Sequence, residues 1–445
     1  MRRIWKSLYF NNRFYYLLGG IVFLMALGLF GEFFFHIARI LLGVFAALTA
    51  LEIIMLFSGG INKFNGSRTL QQRFSNGDNN EVKINLRNRM PFKAAIEIID
   101  EIPAQFQKRD FLKQLTLNPG QAYGFSYFLR PVNRGEYHFG ALNVFVSSPI
   151  GLVKKRFRFS QNEMVKVYPS FQEMRKFEMM AISNRLSEIG IKKIRRVGHQ
   201  MEFDQIRDYT KGDDYRTINW KATARKNHLM VNQYQEEKSQ QMFSLIDMGR
   251  TMKMPFGGMT LLDYAINTSL VLSNIAMLKH DKAGLITFNQ QIQAMVPAKR
   301  NERHLQTIME VLYNQETGFD EHNLQAVYTT LRRHVHHRSL IMLYSNFSSL
   351  SAAHRQMPIL QKIARDHLLV IVFFENTEVT KVTHQATSDM EGIYIKTIAE
   401  KFAFDKKLIV RELDRHGIHT VLTEPGKLTV DALNKYLELK ARGFI

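Results

Sequence analysis

Hydrophobic positions fall into distinct rhythms along this chain, and each rhythm predicts a different kind of element. From Phe14 to Phe30 the sequence is apolar without a charge. After Gly31-Glu32 a second apolar run extends from Phe33 to Phe57, interrupted only by His36, Arg39 and Glu52, and ends at Ser58-Gly59-Gly60. A helix of about 20 residues is what the hydrocarbon core of a bilayer requires, so residues 1–60 read as a two-helix membrane hairpin. With no small-residue cleavage site before the second run, the first reads as an anchor and not a removed signal. Arg39 can snorkel outward and Glu52 lies near the inner boundary, so neither needs a transport role.

Beyond the hairpin the period drops to two. Segments such as Glu81-Val82-Lys83-Ile84-Asn85-Leu86 alternate between turn clusters at Asn76-Gly77-Asp78, Asn118-Pro119-Gly120 and Asn133-Arg134-Gly135, which predicts a small β-sandwich-like domain over residues 61–169. Residues 170–240 read as a polar, charge-dense connector carrying Lys192, Lys193, Arg195 and Arg196. From 241 to 445 strands and helices alternate. Strands are predicted at 243–247, 283–288, 339–344, 368–374 and 419–423, and helices at 261–279, 304–313, 323–334, 352–366, 398–416 and 429–442. That alternation implies a doubly wound parallel α/β sheet covered on both faces.

Charge sharpens the first part of this picture. The formal net charge is +20 and the pI about 9.9, a surface drawn to anionic lipid, nucleic acid or an acidic partner. Arg2, Arg3, Lys6 and Arg13 precede the first apolar run, and Lys63, Arg68 and Arg73 follow the second. Lysine and arginine on both outer flanks predict an inner-membrane protein with both ends, and all that follows, in the cytoplasm. With no cysteine, disulfides, thiolate zinc sites and cysteine nucleophiles are excluded. Phosphate-cradling Gly-Lys-Ser/Thr loops, His-Glu-x-x-His helices and Gly-x-Ser-x-Gly elbows are also missing from the sequence.

A parallel α/β sheet presents ligands at the carboxyl ends of its strands, which directs attention to Asp247-Met248-Gly249-Arg250-Thr251. An Asp followed by hydroxyls two and four residues later would set three oxygen ligands around a magnesium-sized ion. Asp247 and Thr251 supply two of them, and Gly249 supplies none. This loop, with the alternation behind it, resembles the metal-ion-dependent adhesion site of von Willebrand factor type A domains. Where that resemblance implies a further Thr the chain has Gly318-Phe319-Asp320-Glu321. Where it implies an Asp the chain has Tyr344-Ser345-Asn346. The resemblance therefore implies a degenerate site made of Asp247, Thr251 and Asn346, with magnesium as its candidate ion.

A longer motif runs from Gly198 to Arg225 and includes Glu202, Phe203, Asp204, Arg207, Tyr209, Gly212, Asp213, Asp214, Arg216, Asn219, Trp220, Ala224 and Arg225. It resembles the signature of the bacterial family catalogued as domain of unknown function 58, whose usual order of membrane hairpin, β-domain, signature and type A-like domain is also the order here. Read from the residues, a turn at Lys211-Gly212-Asp213-Asp214 leads into a short helix from about Tyr215 to Lys226, with Asp213 or Asp214 as its N-cap. The interleaved arginines and carboxylates suit an ion-paired docking knot around Trp220, coupling the α/β domain to the β-domain.

Together these features imply an interaction protein and not an enzyme. The family resemblance implies a membrane-tethered adaptor for a MoxR-type AAA+ ATPase or another type A-domain protein, in envelope biogenesis or stress response. Alanine at Asp247 is expected to abolish partner capture while leaving the fold intact. Two other classes stand beside this reading: nucleic-acid or anionic-lipid binding through the Lys192–Arg196 cluster, and a metal-assisted hydrolase using Asp213, Asp214 and Asp247, which requires those carboxylates to share a cleft.

Overall fold

A computed structural model describes residues 7–58, 63–182, 201–236, 240–347, 349–384 and 389–444. The chain divides into two compact units, Met1–Val167 and Tyr168–Ile445. The basic run Lys192–Arg196 lies outside the described residues, as do the side chains of Glu202, Phe203 and Asp204.

In the first unit the two apolar runs form helices α1 (Asn12–Leu27) and α2 (Glu32–Phe57). They pack against each other across a turn in which a Cβ on Gly28 would stand 3.0 Å from the Phe35 Cβ, so the close approach requires glycine. Most apolar side chains of both helices are exposed, among them Phe23, Phe33 and Ile40. The strand preceding them, β1 (Leu8–Phe10), is the antiparallel edge of a five-stranded sheet with β5 (Ala94–Asp100), β6 (Leu112–Leu117), β9 (Leu142–Ser147) and β10 (Val153–Phe159). A second sheet joins β2 (Phe64–Thr69), β4 (Asn80–Asn88) and β7 (Ala122–Leu129). A third joins β3 (Arg73–Ser75), β8 (Gly135–Phe139) and β11 (Glu163–Tyr168). Period-two alternation sends Ile84 and Leu86 of β4, Ile96 and Ile98 of β5 and Val144 and Val146 of β9 into one core, the face-to-face packing expected of a sandwich.

Glu52 and Arg68 take roles that their sequence context did not reveal. Glu52 is fully buried near the end of α2, and its carboxylate accepts hydrogen bonds from the Ser148 hydroxyl (2.6 Å) and from the backbone N–H groups of Gly151, Leu152 and Val153 (3.1, 2.9 and 3.0 Å). It is thus the joint between helix and β-domain, beyond the boundary role expected for it. Lys155 completes the joint by donating to the Leu56 carbonyl at 2.9 Å, a cation at the negative end of the helix dipole. Arg68, expected as a free flanking charge, is buried. It donates to Asp100 (2.5 Å), Glu163 (2.9 Å) and the carbonyls of Gly140 and Ser160, while Tyr127 donates to the other Asp100 oxygen.

The second unit opens with α3 (Phe171–Ile182), then a hairpin of β12 (Met201–Asp208) and β13 (Met230–Glu236) that encloses α4 (Trp220–Lys226). Its main sheet is built from β14 (Gln241–Asp247), β15 (Lys282–Phe288), β16 (Ile292–Lys299), β17 (Leu340–Tyr344), β18 (Leu368–Phe374) and β19 (His419–Thr423), in the order β16-β15-β14-β17-β18-β19. All neighbours are parallel except β16, an antiparallel edge strand that the expected all-parallel sheet lacked. Along β14, Met242 and Ile246 face a layer formed by α3, α5 (Leu261–Leu278), α6 (Glu302–Tyr313) and α11 (Leu428–Ala441). Phe243 and Leu245 face the opposite layer of α7 (Leu324–His334), α8 (Leu350–Asp366) and α10 (Met390–Arg415), the last preceded by α9 (Thr377–His384). Burial on both faces explains the unbroken apolar strands. It also explains α5, which is apolar enough to cross a membrane but is mostly buried in the core.

Two expectations are corrected. Residues 170–240 are no mere connector, because Met174 and Phe177 of α3 belong to the core of the α/β layer. The helix expected from residue 398 begins at Met390.

Candidate functional site

The order of the main sheet reverses between β14 and β17, since the chain leaves β14 toward β15 on one side and returns to β17 on the other. Such a reversal opens a crevice at the carboxyl edge. Asp247 ends β14 there, and Ser345 and Asn346 follow β17. Asp247 is fully buried. One carboxylate oxygen accepts the Gly249 N–H at 2.7 Å, and the other accepts the Ser345 hydroxyl at 2.6 Å and lies 3.0 Å from His322 Nδ1. Burial works against a charge on His322, but the hydrogen bond and charge of Asp247, followed by the charge of Glu321, outweigh it and raise the imidazole above its usual pKa.

Gly249 stands where the adhesion motif has a hydroxyl, and local packing gives a reason. A Cβ there would meet Asp247 Oδ1 at 2.9 Å and the Asp320 carbonyl at 3.2 Å, because the loop before α7 closes over this turn. Arg250 N–H donates to that same carbonyl at 3.0 Å. Beside the turn is a notch of about 50 Å³ lined by Thr251, Asp320, His322, Asn346 and Arg355. The Thr251 hydroxyl and His322 Nε2 are buried here without hydrogen-bond partners, the kind of exception that marks a functional edge.

Asn346 is engaged as well. Lys406 of α10 donates to its side-chain oxygen and, at 2.7 Å, to the Phe347 carbonyl. Burial lowers the pKa of this ammonium to about 8. The three residues expected to bind magnesium are therefore gathered at one edge, but a divalent cation would compete with His322 for Asp247 and with Lys406 for Asn346. As arranged, the donor set does not fit magnesium, because cationic or hydrogen-bonding side chains already satisfy the oxygens an ion would take. Among the described residues no cluster of three or more His, Asp and Glu suited to a metal occurs.

The signature segment forms a separate structure. Arg207 makes a two-pronged ion pair with Asp213 (2.9 and 2.6 Å), and Asp213 also accepts the Thr210 N–H and hydroxyl. These contacts hold the Asp213 carboxyl well below the usual range, with Arg207 contributing most. Asp214 caps a 3-10 turn, Tyr215–Thr217, by accepting the Arg216 N–H, and Asn219 caps α4 by accepting the Ala222 N–H at 3.0 Å. The single helix expected from Tyr215 to Lys226 is thus two short ones. Gly212 has φ of 118°, a left-handed turn that favours glycine. Tyr209 N–H bonds the Leu229 carbonyl across the hairpin. Ala224, Arg225 and Arg216 are exposed. Trp220 is 67% exposed, which corrects the expected knot around it: the ion pair of Arg207 and Asp213 holds the preceding turn and leaves Trp220 outside. Asp213 is bonded to Arg207 and Thr210, Asp214 to the Arg216 N–H, and Asp247 to Gly249, Ser345 and His322.

Sequence reasoning missed Ser345, His322 and Lys406. Ser345 and His322 each adjoin a stretch that drew attention, so proximity was the available signal. Lys406 is one of many lysines and only the fold places it.

The fold and site define a doubly wound α/β domain preceded in the chain by a signature hairpin. Residues 205–391 match the family described as "Protein of unknown function DUF58". Among curated proteins the chain is similar to the "Uncharacterized protein YeaD" of Bacillus subtilis, at 26% identity over 204 residues. The match covers 42% of this chain and 48%, about half, of that relative. Among solved structures it is similar to the conserved hypothetical protein BatB from Bacteroides thetaiotaomicron (13% identity, 45% of this chain and 98% of that one, TM-score 0.28). It is also similar to a PapD-like domain of human CEP192 (13% identity, 24% of this chain and 87% of that one, TM-score 0.19).

Proposed function

We propose that this protein is a membrane-anchored interaction protein. In this reading its second unit is a von Willebrand factor type A-like domain that captures a protein partner at the carboxyl edge around Thr251, Asn346 and Lys406. The observation that carries it is the edge itself: a strand-order reversal where Gly249, Ser345 and His322 Nδ1 meet the buried Asp247 carboxylate, beside the Thr251 hydroxyl and His322 Nε2, which have no hydrogen-bond partner among the described residues. Such an edge is built to hold a shape and present it. In this reading capture does not need magnesium, since His322 and Lys406 already take the Asp247 and Asn346 oxygens an ion would use.

The anchor reading rests on the apolar surface of α1 and α2. About 26 residues of α2 would span about 39 Å as a helix, more than a hydrocarbon core, and exposed side chains such as Phe33 and Ile40 need an apolar environment. Localisation at the inner membrane, with both units cytoplasmic, and a MoxR-type AAA+ ATPase as partner belong to this same proposal.

The test is crosslinking and pull-down of the tagged full-length chain from native membranes, with and without a chelator. The variants of choice are Thr251→Val and Asn346→Ala. Alanine at Asp247 is unsuitable, contrary to the expectation from sequence, because it would strip three partners from a buried site and destabilise the fold. Recovery of one ATPase, unaffected by chelator and lost in both variants, supports the proposal; capture unchanged in both variants removes this edge from consideration.

A further inference from the structure

Beside the notch, at the carboxyl ends of β17, β18 and β19, is a cavity of about 320 Å³. Phe256, Phe347, Phe374, Phe402 and Leu422 form its apolar wall, and Thr251, Asn346, Glu375, Asn376, Lys406 and Lys407 supply the polar part of the lining. The volume is at the lower end of the range for small-molecule sites.

We propose that this cavity binds an apolar body ending in a single carboxylate, held by Lys406. The argument begins with the ammonium. Its two bonds run to neutral oxygens, Asn346 Oδ1 and the Phe347 carbonyl, and an ammonium has three donors. Among the described residues no carboxylate lies within ion-pair distance of it. A cation removed from water and met only by neutral acceptors is unfavourably placed, and a carboxylate on the third donor would complete it with a charge-assisted bond. The aromatic and aliphatic walls reject a small hydrated anion and select a ligand whose remainder is apolar. A free acid and the last residue of a chain both present this chemistry. The site goes beyond the adaptor reading, because its ligand class follows from the cavity alone, whichever protein is captured.

The test uses the full-length chain in lipid nanodiscs and calorimetry with 3-phenylpropionate as probe and 3-phenylpropanol as its neutral counterpart. The acid is expected to bind at least about tenfold more tightly than the alcohol, the value of one charge-assisted contact. Lys406→Met is expected to erase that preference while leaving the alcohol's affinity unchanged, and thermal melting reports whether the variant is folded. Should it not fold, Ala403→Trp, which fills the cavity from its wall, is expected to abolish binding of both probes. A short peptide ending in Phe, with its amide as control, distinguishes the sources: tighter binding of the free-carboxyl peptide than of 3-phenylpropionate assigns a chain terminus, and weaker binding assigns a free acid. Equal binding of acid and alcohol, or no binding of the acid by folded protein, overturns the proposal. Its failure is distinguishable from failure of the adaptor reading, because probe binding needs no partner and partner capture is read separately by pull-down.

Discussion

The carboxylate of Glu52 accepts the hydroxyl of Ser148 at 2.6 Å, joining the end of an apolar helix to a turn of the β-domain that lies 96 residues further along the chain. Three backbone N–H groups share the same carboxylate. Removing it leaves four donors without an acceptor in a buried place. Glu52→Ala is expected to cost about 3 kcal/mol, and Glu52→Gln, which keeps one acceptor oxygen, less. Thermal unfolding of the full chain in nanodiscs would measure both, and an unchanged midpoint for the alanine variant would show that the joint is held by other contacts.

The buried pair of Arg68 and Asp100 makes a different prediction. Burial pushes the Asp100 carboxyl up even though Arg68 draws it down, so desolvation is a large cost here. Arg68→Met should destabilise by about 3 kcal/mol or more, because it strands a buried carboxylate. The double variant Arg68→Met with Asp100→Leu should recover part of that loss. Urea unfolding would decide it; a double variant less stable than the sum of the single changes would refute the desolvation account.

His322 gives the α/β domain a pH signature. Its pKa is raised in the folded state, so its pairing with Asp247 contributes fully below the unfolded value of about 6.5 and is lost as pH rises through the folded value. The melting-point gap between the natural protein and His322→Gln should therefore be widest below about pH 6.5 and narrow as the pH rises above it. A gap that does not change with pH would mean that the imidazole acts by packing and not by charge.

Trp220 separates folding from contact. Being largely exposed on α4, it should be replaceable by alanine within about 0.5 kcal/mol, whereas Arg207→Ala should loosen the hairpin by releasing Asp213. Limited proteolysis across residues 205–236 distinguishes the two. Faster cleavage in Trp220→Ala than in Arg207→Ala would reverse the assignment.

How much of this was legible in the sequence depended on whether the signal was local. The apolar runs of α1 and α2, the alternation of β4 and the capping residue Asp214 are written within a few positions, and each appears where its pattern places it. The edge strand β16 was missed because Ile292–Lys299 pairs with β15 in a register interrupted by bulges, which blurs its period. The helix α3 was hidden in a polar stretch because only Met174 and Phe177 of it are buried.

The candidate site divides along the same line. Asp247 and Thr251 were singled out because strand ends in a parallel sheet are where ligands meet the chain, and strand ends can be read from hydrophobic periodicity; Asn346 came only from the resemblance to the adhesion site of type A domains. Their chemistry could not be read that way. His322 and Lys406 reach the edge from 75 and 159 residues beyond Asp247, and such pairings are fixed only when the sheet reverses its order and α10 packs across it. The sequence by itself determined the kinds of element, their order and the strand ends at which a ligand would be sought. Only the tertiary structure decided that the oxygens at that place are met by an imidazole and an ammonium, because the energy of a buried charge depends on which groups surround it and not on which precede it.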